Sequence, residues 1–102
     1  MGRYVLTAEA QKDLVDIRRY TREQWDNRQS VSYLSQMQRT LQNLADAPAI
    51  GKSREDEFGL NVYSFPYSSH IIYYARHSTG IVILAVLHQS QIPASHLLHR
   101  PH

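Results

Sequence analysis

Residues 60–87 read LNVYSFPYSSHIIYYARHSTGIVILAVL, and this stretch decides the fold. Its β-branched, aromatic and other apolar residues gather in three runs, at positions 60–65, 70–75 and 81–87, which is typical of strands. Pro, Ser and Gly in the intervening segments favour turns. Three consecutive strands with such short connections predict an antiparallel meander. The last run is apolar at every position, which indicates a central strand covered on at least one face.

The first half of the chain has a helical period instead. A short predicted strand at residues 3–6 is followed by Thr7, a residue type that caps helix N-termini. Apolar residues then recur every three or four positions up to Trp25, and again from Val31 to Ala45, before Pro48 stops the second helix. The two helices predict an antiparallel hairpin whose apolar stripes need a sheet to pack on.

Together these patterns predict an α+β fold with an N-terminal strand, an antiparallel helical hairpin and a three-stranded antiparallel meander. We expect residues 49–59 to form an irregular polar loop. We also expect Leu41 and Leu84 to lie in the core that the hairpin and the sheet share. A chain of 102 residues fits one domain, 1–102, with a loose tail from about residue 98.

Composition narrows the classes of function. The chain has no cysteine, which excludes disulfide and thiol chemistry. No stretch approaches the ~20 apolar residues of a membrane span, and no apolar run follows Met1, so we expect a cytoplasmic protein that does not associate with a membrane. Residues 58–102 contain all six histidines and no acid. Unless this asymmetry arises by chance, it predicts a mildly positive, titratable surface suited to an acidic protein or to phosphate.

Three further patterns have a simpler structural explanation. The tail histidines share a helical spacing and could gather around a metal ion: they are His96, His99 and His102. Pro101 would break such a helix and no carboxylate is near, so a frayed tail is expected. The acidic run at 55–57 is typical of a solvated loop, and the arginines of the first helix alternate with acids. We therefore expect no metal, no cofactor and no direct binding of nucleic acid.

Several motifs resemble those of the ParE/RelE toxin superfamily, in the same order along the chain. They are YVLTAEA at 4–10, LADAP at 44–48, YSFPY at 63–67 leading into HIIYY at 70–74, and ILAVLH at 83–88. The resemblance covers about residues 4–97 and implies a toxin of a bacterial or archaeal type II toxin–antitoxin module, with a cognate antitoxin as partner. It also implies two possible activities, since RelE-like members cleave messenger RNA on the ribosome and ParE-like members are linked to inhibition of DNA gyrase.

The residues available for chemistry favour the second activity. RNA cleavage by attack of a 2′-OH needs a general base, a general acid and positive charge at the phosphorane. RelE-like toxins supply these with basic residues on the first meander strand, an arginine opening the second, and a basic or histidine–tyrosine group after the last. At the matching positions this chain has Asn61 and Tyr63, then His70, then Gln89. We therefore predict no catalytic residues and a ParE-like toxin that binds DNA gyrase.

Two alternatives stay open. His70 and His88 could act as an acid–base pair, because histidine titrates near neutral pH, with positive charge supplied by Lys52 and Arg54. The chain would then be a ribosome-dependent mRNA endoribonuclease. It could also be a degenerate family member that only binds its antitoxin.

Binding residues are predicted on two surfaces. The segment after the last strand is free of acids and is our candidate for contact with the target: His88, Gln89, Ser90, Gln91, His96 and Leu97. Aromatic residues suit interfaces because they bury a large area and keep a polar end, although they are equally typical of a core. The candidates for contact with the antitoxin are Tyr20, Trp25, Tyr33 and Arg76.

Overall fold

A single five-stranded sheet carries the helical hairpin on one face in the computed structural model, which describes residues 2–98. The elements are β1 (Arg3–Leu6), α1 (Ala8–Gln24), α2 (Asn27–Asp46), a 3-10 turn (Pro48–Ile50), β2 (Lys52–Ser53), α3 (Glu55–Phe58), β3 (Val62–Tyr67), β4 (His70–His77), β5 (Gly80–His88) and α4 (Pro93–Leu97). The strand order is β1-β5-β4-β3-β2, with β1 parallel to β5 and the other pairs antiparallel. This confirms the predicted α+β fold.

Both hairpin helices begin at side-chain caps. The Thr7 hydroxyl accepts a hydrogen bond from the Ala10 amide at 3.1 Å, and the Asp26 carboxylate accepts one from the Gln29 amide at 2.8 Å. Such caps satisfy amides that have no partner within the helix. Between the two helices, the buried hydroxyls of Thr21 and Ser30 lie 2.6 Å apart. The hairpin therefore has a fixed register.

Residues 49–59 are more ordered than we predicted. They contain the edge strand β2 and the short helix α3, whose first turn holds the acidic run that the sequence placed in a loop. Acidic side chains are favourable there because the helix N-terminus is partly positive. Strand β3 also runs on through Pro66, which we predicted as a turn residue. Because β2 pairs only with Tyr63 and Ser64, β3 has an open edge at Pro66, where a missing N–H costs no ladder bond.

A β-bulge in β5 decides which residues face the hairpin. Tyr73 lies opposite Ala85 and Tyr74 lies opposite Ile83, so Leu84 is the extra residue. The side chains that pack towards the hairpin are those of Ile81, Ile83 and, beyond the bulge, Val86.

The predicted position of Leu84 is wrong, because it packs on the far face of the sheet. There it lies with Phe58 of α3 and Leu97 of α4, whereas Leu41 lies in the hairpin-side core as predicted. Both faces of the sheet are covered, so β5 is apolar throughout and its sequence shows no alternation. No helix within residues 2–98 is long and apolar enough to cross a membrane. His99 and His102 lie outside the described residues.

Candidate functional site

A groove opens where β1 ends and β5 continues. Beyond Leu6 the edge of β5 is paired by residues of α1 and its cap instead of by a strand. The Thr7 amide donates to the Ile83 carbonyl at 3.1 Å, and the Asp13 carboxylate accepts from the Val86 amide at 3.0 Å. These bonds hold α1 across the end of the sheet. A groove remains between α1 and the ends of β4 and β5.

The groove has a volume of about 370 Å³ and combines acids with histidines. Its lining comprises Asp13, Asp16, Ile17 and Tyr20 from α1, His70 from β4, Val86 and His88 from β5, and Ser90 and Gln91 from the turn that follows. Within residues 2–98, this lining includes no lysine or arginine. Asp16 forms an ion pair with Lys12 at 3.3 Å, and both side chains are exposed.

His70 and His88 face each other across β4 and β5. They are register partners, and their ring centroids are 5.4 Å apart with the planes nearly perpendicular. His70 is only 7% exposed, and its Nδ1 lies 2.6 Å from the hydroxyl of Tyr33. Burial, and secondly the charge of His88, lower the pKa of His70 below its ordinary value. His70 is therefore neutral at physiological pH.

His88 is held by the turn that follows β5. Its Nδ1 accepts a hydrogen bond from the Ser90 amide at 3.1 Å and lies 2.7 Å from the Ser90 hydroxyl. Because Nδ1 accepts from an amide, the proton of neutral His88 is on Nε2. The two imidazoles are groups that can exchange protons with a ligand, and no lysine or arginine of residues 2–98 lines the groove beside them. Residues 2–98 contain no group of three or more side chains placed to hold a metal ion.

Lys52 and Arg54 do not join the histidines. The Arg54 guanidinium donates two hydrogen bonds of 2.8 Å to the Glu57 carboxylate and one of 3.3 Å to the Ser64 hydroxyl. The bond to Glu57 is the main reason why the pKa of Arg54 is raised and that of Glu57 lowered. Lys52 is the register partner of Ser64 and so shares its face of the sheet. That face is the one opposite His70 and His88.

The predicted antitoxin-binding residues fall into two places. Tyr20 lines the groove, and the rings of Trp25 and Tyr33 meet edge to face at 5.3 Å close to His70. Arg76 lies six residues further along β4, roughly 20 Å away at about 3.3 Å per residue, over the ring of Tyr63. The three aromatic residues thus lie around His70, and Arg76 lies apart from them.

The predicted target-binding segment is divided as well. Ser90 and Gln91 join His88 in the groove, Gln89 is exposed, and the Gln91 amide lies 3.4 Å from Nε2 of His96. Leu97 is only 3% exposed and packs on the far face of the sheet. Its side chain is therefore part of the fold and not of an open surface.

Sequence reasoning missed the two carboxylates of the groove. Asp13, Asp16, Ile17 and Tyr20 follow an i, i+3, i+4, i+7 spacing, which puts them on one stripe of α1. That spacing was visible in the sequence. What it could not reveal is that this stripe crosses the sheet beside the two histidines.

Comparison with known proteins agrees with this architecture. A family model described as the ParE toxin of the type II toxin–antitoxin system parDE matches residues 4–93. Toxin ParE1 of Caulobacter vibrioides is 31% identical over 97 residues, which make up 95% of this chain and 99% of that toxin. The family match includes both hairpin helices, the five strands from residue 4 onwards, and every residue that lines the groove. The chain therefore belongs to the ParE toxin family of type II toxin–antitoxin systems.

Proposed function

We propose that this chain is a toxin that acts in the cytoplasm by binding DNA gyrase, and that a cognate antitoxin neutralises it. Such a module would serve the maintenance of a plasmid or a chromosome. One observation supports a binding mechanism above the others: the facing pair of histidines lies beside two carboxylates, while Arg54 and Lys52 lie on the opposite face of the sheet.

The electrostatics of the groove oppose RNA cleavage. A phosphorane accumulates negative charge, and catalysts stabilise it with cations or with fixed donors. Among residues 2–98 the lining of the groove offers two carboxylates and no lysine or arginine, and the charge of Arg54 is already balanced by Glu57. A protein target makes no such demand, because binding energy can come from several anchors with modest contributions.

Support for an antitoxin comes from the surface of the hairpin. Leu14, Leu34 and Met37 line an apolar groove of about 180 Å³ between α1 and α2, and Val15 and Val31 are exposed nearby. An amphipathic segment can bury its apolar face in such a groove, and a disordered segment can order on it. A separate depression on the same hairpin is lined by Trp25 and Tyr33, close to His70.

Two experiments test the proposal. Co-expression with the small protein encoded beside this chain should give a stable complex, whereas the chain alone should be toxic or poorly soluble. The purified chain should slow supercoiling by gyrase, and adding the antitoxin should restore the rate. A chain that captures no neighbouring protein and leaves supercoiling unchanged would sink the proposal.

A second candidate function keeps a specific observation in its favour. The facing imidazoles of His70 and His88, with the Tyr33 hydroxyl 2.6 Å from one of them, are groups that can transfer protons. A ribosome-dependent endoribonuclease of the RelE type would use them on messenger RNA. If the chain has neither activity and still binds its antitoxin, it is a degenerate member of the family.

A further inference from the structure

The fold brings two acids of the first helix next to the histidine-rich second half of the chain. Residues 58–102 contain no acid, yet α1 places Asp13 and Asp16 beside His70 and His88. At this end of the sheet the acid-free half of the chain therefore meets two carboxylates of the first helix. The acids occupy different places there: the Asp13 carboxylate accepts a hydrogen bond from the Val86 amide, while Asp16 is exposed and, within residues 2–98, forms its ion pair with the still more exposed Lys12. Exposed ion pairs of this kind are weak, so an incoming cation can replace Lys12.

A second, independent feature of the groove is a nitrogen of His70 that has no hydrogen-bond partner among the residues that the structure describes. Among residues 2–98, the one hydrogen-bond contact of the His70 ring is that of Nδ1 with Tyr33. No enclosed side-chain nitrogen or oxygen in the described residues lacks a partner. Nε2 of His70 must therefore keep contact with solvent, although only 7% of the residue's surface is exposed. Because His70 lines the groove and its Nδ1 is occupied by Tyr33, Nε2 is the ring nitrogen that remains for a ligand there.

The combination of groups selects one class of ligand. When Nδ1–H of His70 donates to the Tyr33 oxygen, Nε2 presents a lone pair to the groove beside the carboxylate of Asp16. Two acceptors and the ring of Tyr20 suit an ammonium or guanidinium group, which donates hydrogen bonds and is attracted to aromatic faces. A phosphate or carboxylate would meet like charge. The volume of about 370 Å³ is near the lower end of ligand pockets, which range over roughly 300–1,000 Å³.

The geometry points to a binding site for a cationic side chain, an arginine or lysine, in the groove formed by Asp13, Asp16, Tyr20, His70 and His88. The cation forms an ion pair with Asp16 in place of Lys12 and accepts no hydrogen bond, so it leaves the Tyr33–His70 contact in place. A small free amine or guanidine shares this chemistry. The inference extends the proposed function, because His88 belongs to the surface that we assign to the target.

The test uses small probes and no gyrase, so it can fail independently of the proposed function. The full chain is produced by cell-free translation, which avoids its toxicity. Calorimetry then measures binding of agmatine, of N-acetyl-arginine amide and of the uncharged N-acetyl-glutamine amide. The variant is Asp16→Asn, which keeps the shape of the side chain and removes its charge. The matched control is Glu23→Gln, since Glu23 is an exposed acid on the same helix and does not line the groove.

We expect both arginine-like probes to bind and the glutamine probe not to bind. Asp16→Asn should weaken binding up to about fivefold, the upper range for an exposed ion pair, while Glu23→Gln should leave it unchanged within error. Nitrogen NMR should show the proton of His70 on Nδ1 when the probe is bound. Tighter binding of the arginine amide than of agmatine would identify a protein side chain as the ligand, and equal binding would identify a small cation. No binding by the wild type, or equal losses in the two variants, would overturn the inference.

Discussion

Leu41→Ala is the perturbation that tests the packing of the hairpin on the sheet. Leu41 is 1% exposed and lies in the hairpin-side core with Ile72 and Tyr74. The substitution removes three buried carbons, which at about 0.8 kcal/mol each account for about 2.4 kcal/mol of transfer free energy. The cavity left behind adds to this, so we expect a loss of ~3–5 kcal/mol. A domain of this size has a total stability of ~5–15 kcal/mol.

Urea denaturation followed by circular dichroism measures this loss, and two further variants make it interpretable. Leu84→Ala removes the same carbons from the far face of the sheet, where Leu84 is 2% exposed, and should cost ~2–5 kcal/mol. Leu60→Ala is the control, because Leu60 is 80% exposed and its loss should stay within about 0.5 kcal/mol. Losses below ~1 kcal/mol at both buried positions would refute the assignment of the two faces.

Two further predictions concern His70 and Gly51. The first is a pH dependence of stability, because the pKa of His70 is lower in the folded chain than in the unfolded chain. Below pH ~6.5 the unfolded chain binds a proton that folded His70 does not, so the free energy of unfolding should fall by at most about 1.4 kcal/mol for each pH unit of acidification. Urea titrations between pH 7.5 and 5 should show that His70→Phe loses this slope and that His77→Phe, at an exposed position, keeps it. Gly51→Ala places a Cβ 2.0 Å from the Tyr74 hydroxyl, which donates to the Pro48 carbonyl at 2.6 Å, and should cost ~1–3 kcal/mol. The same measurement on Gly51→Ala combined with Tyr74→Phe should give less than the sum of the single losses, and strict additivity would contradict this contact.

The sequence was sufficient for the elements that depend on local signals. Thr7 as N-cap, Pro48 after the second helix and the period of three or four in both helices are all properties of neighbouring residues. The meander followed from its turns for the same reason. The antiparallel pairing of β3 with β4 and of β4 with β5, and the cap at Thr7, agree with these expectations.

The site depended on long-range geometry that no local pattern encodes. The bulge at Leu84 shifts the alternation of β5 and so puts Val86 and His88 on the hairpin side, but a strand that is apolar at every position gives no sign of it. The crossing of α1 over the end of β5 is fixed by the bond from the Val86 amide to Asp13, between residues 73 positions apart. For this reason the acids of the groove were missed while the histidines were found.

The most direct test of a binding mechanism compares two assays on one preparation of the chain. Wild type and His88→Ala are each incubated with gyrase and relaxed DNA, and separately with ribosomes translating a defined messenger RNA. We expect the wild type to slow supercoiling and to leave the messenger intact, and His88→Ala to keep most of the inhibition, since one polar change at the rim of a binding surface costs little. Site-specific cleavage of the messenger by the wild type, reduced ~100-fold or more in His88→Ala while supercoiling is unaffected throughout, would contradict the account and establish the ribonuclease.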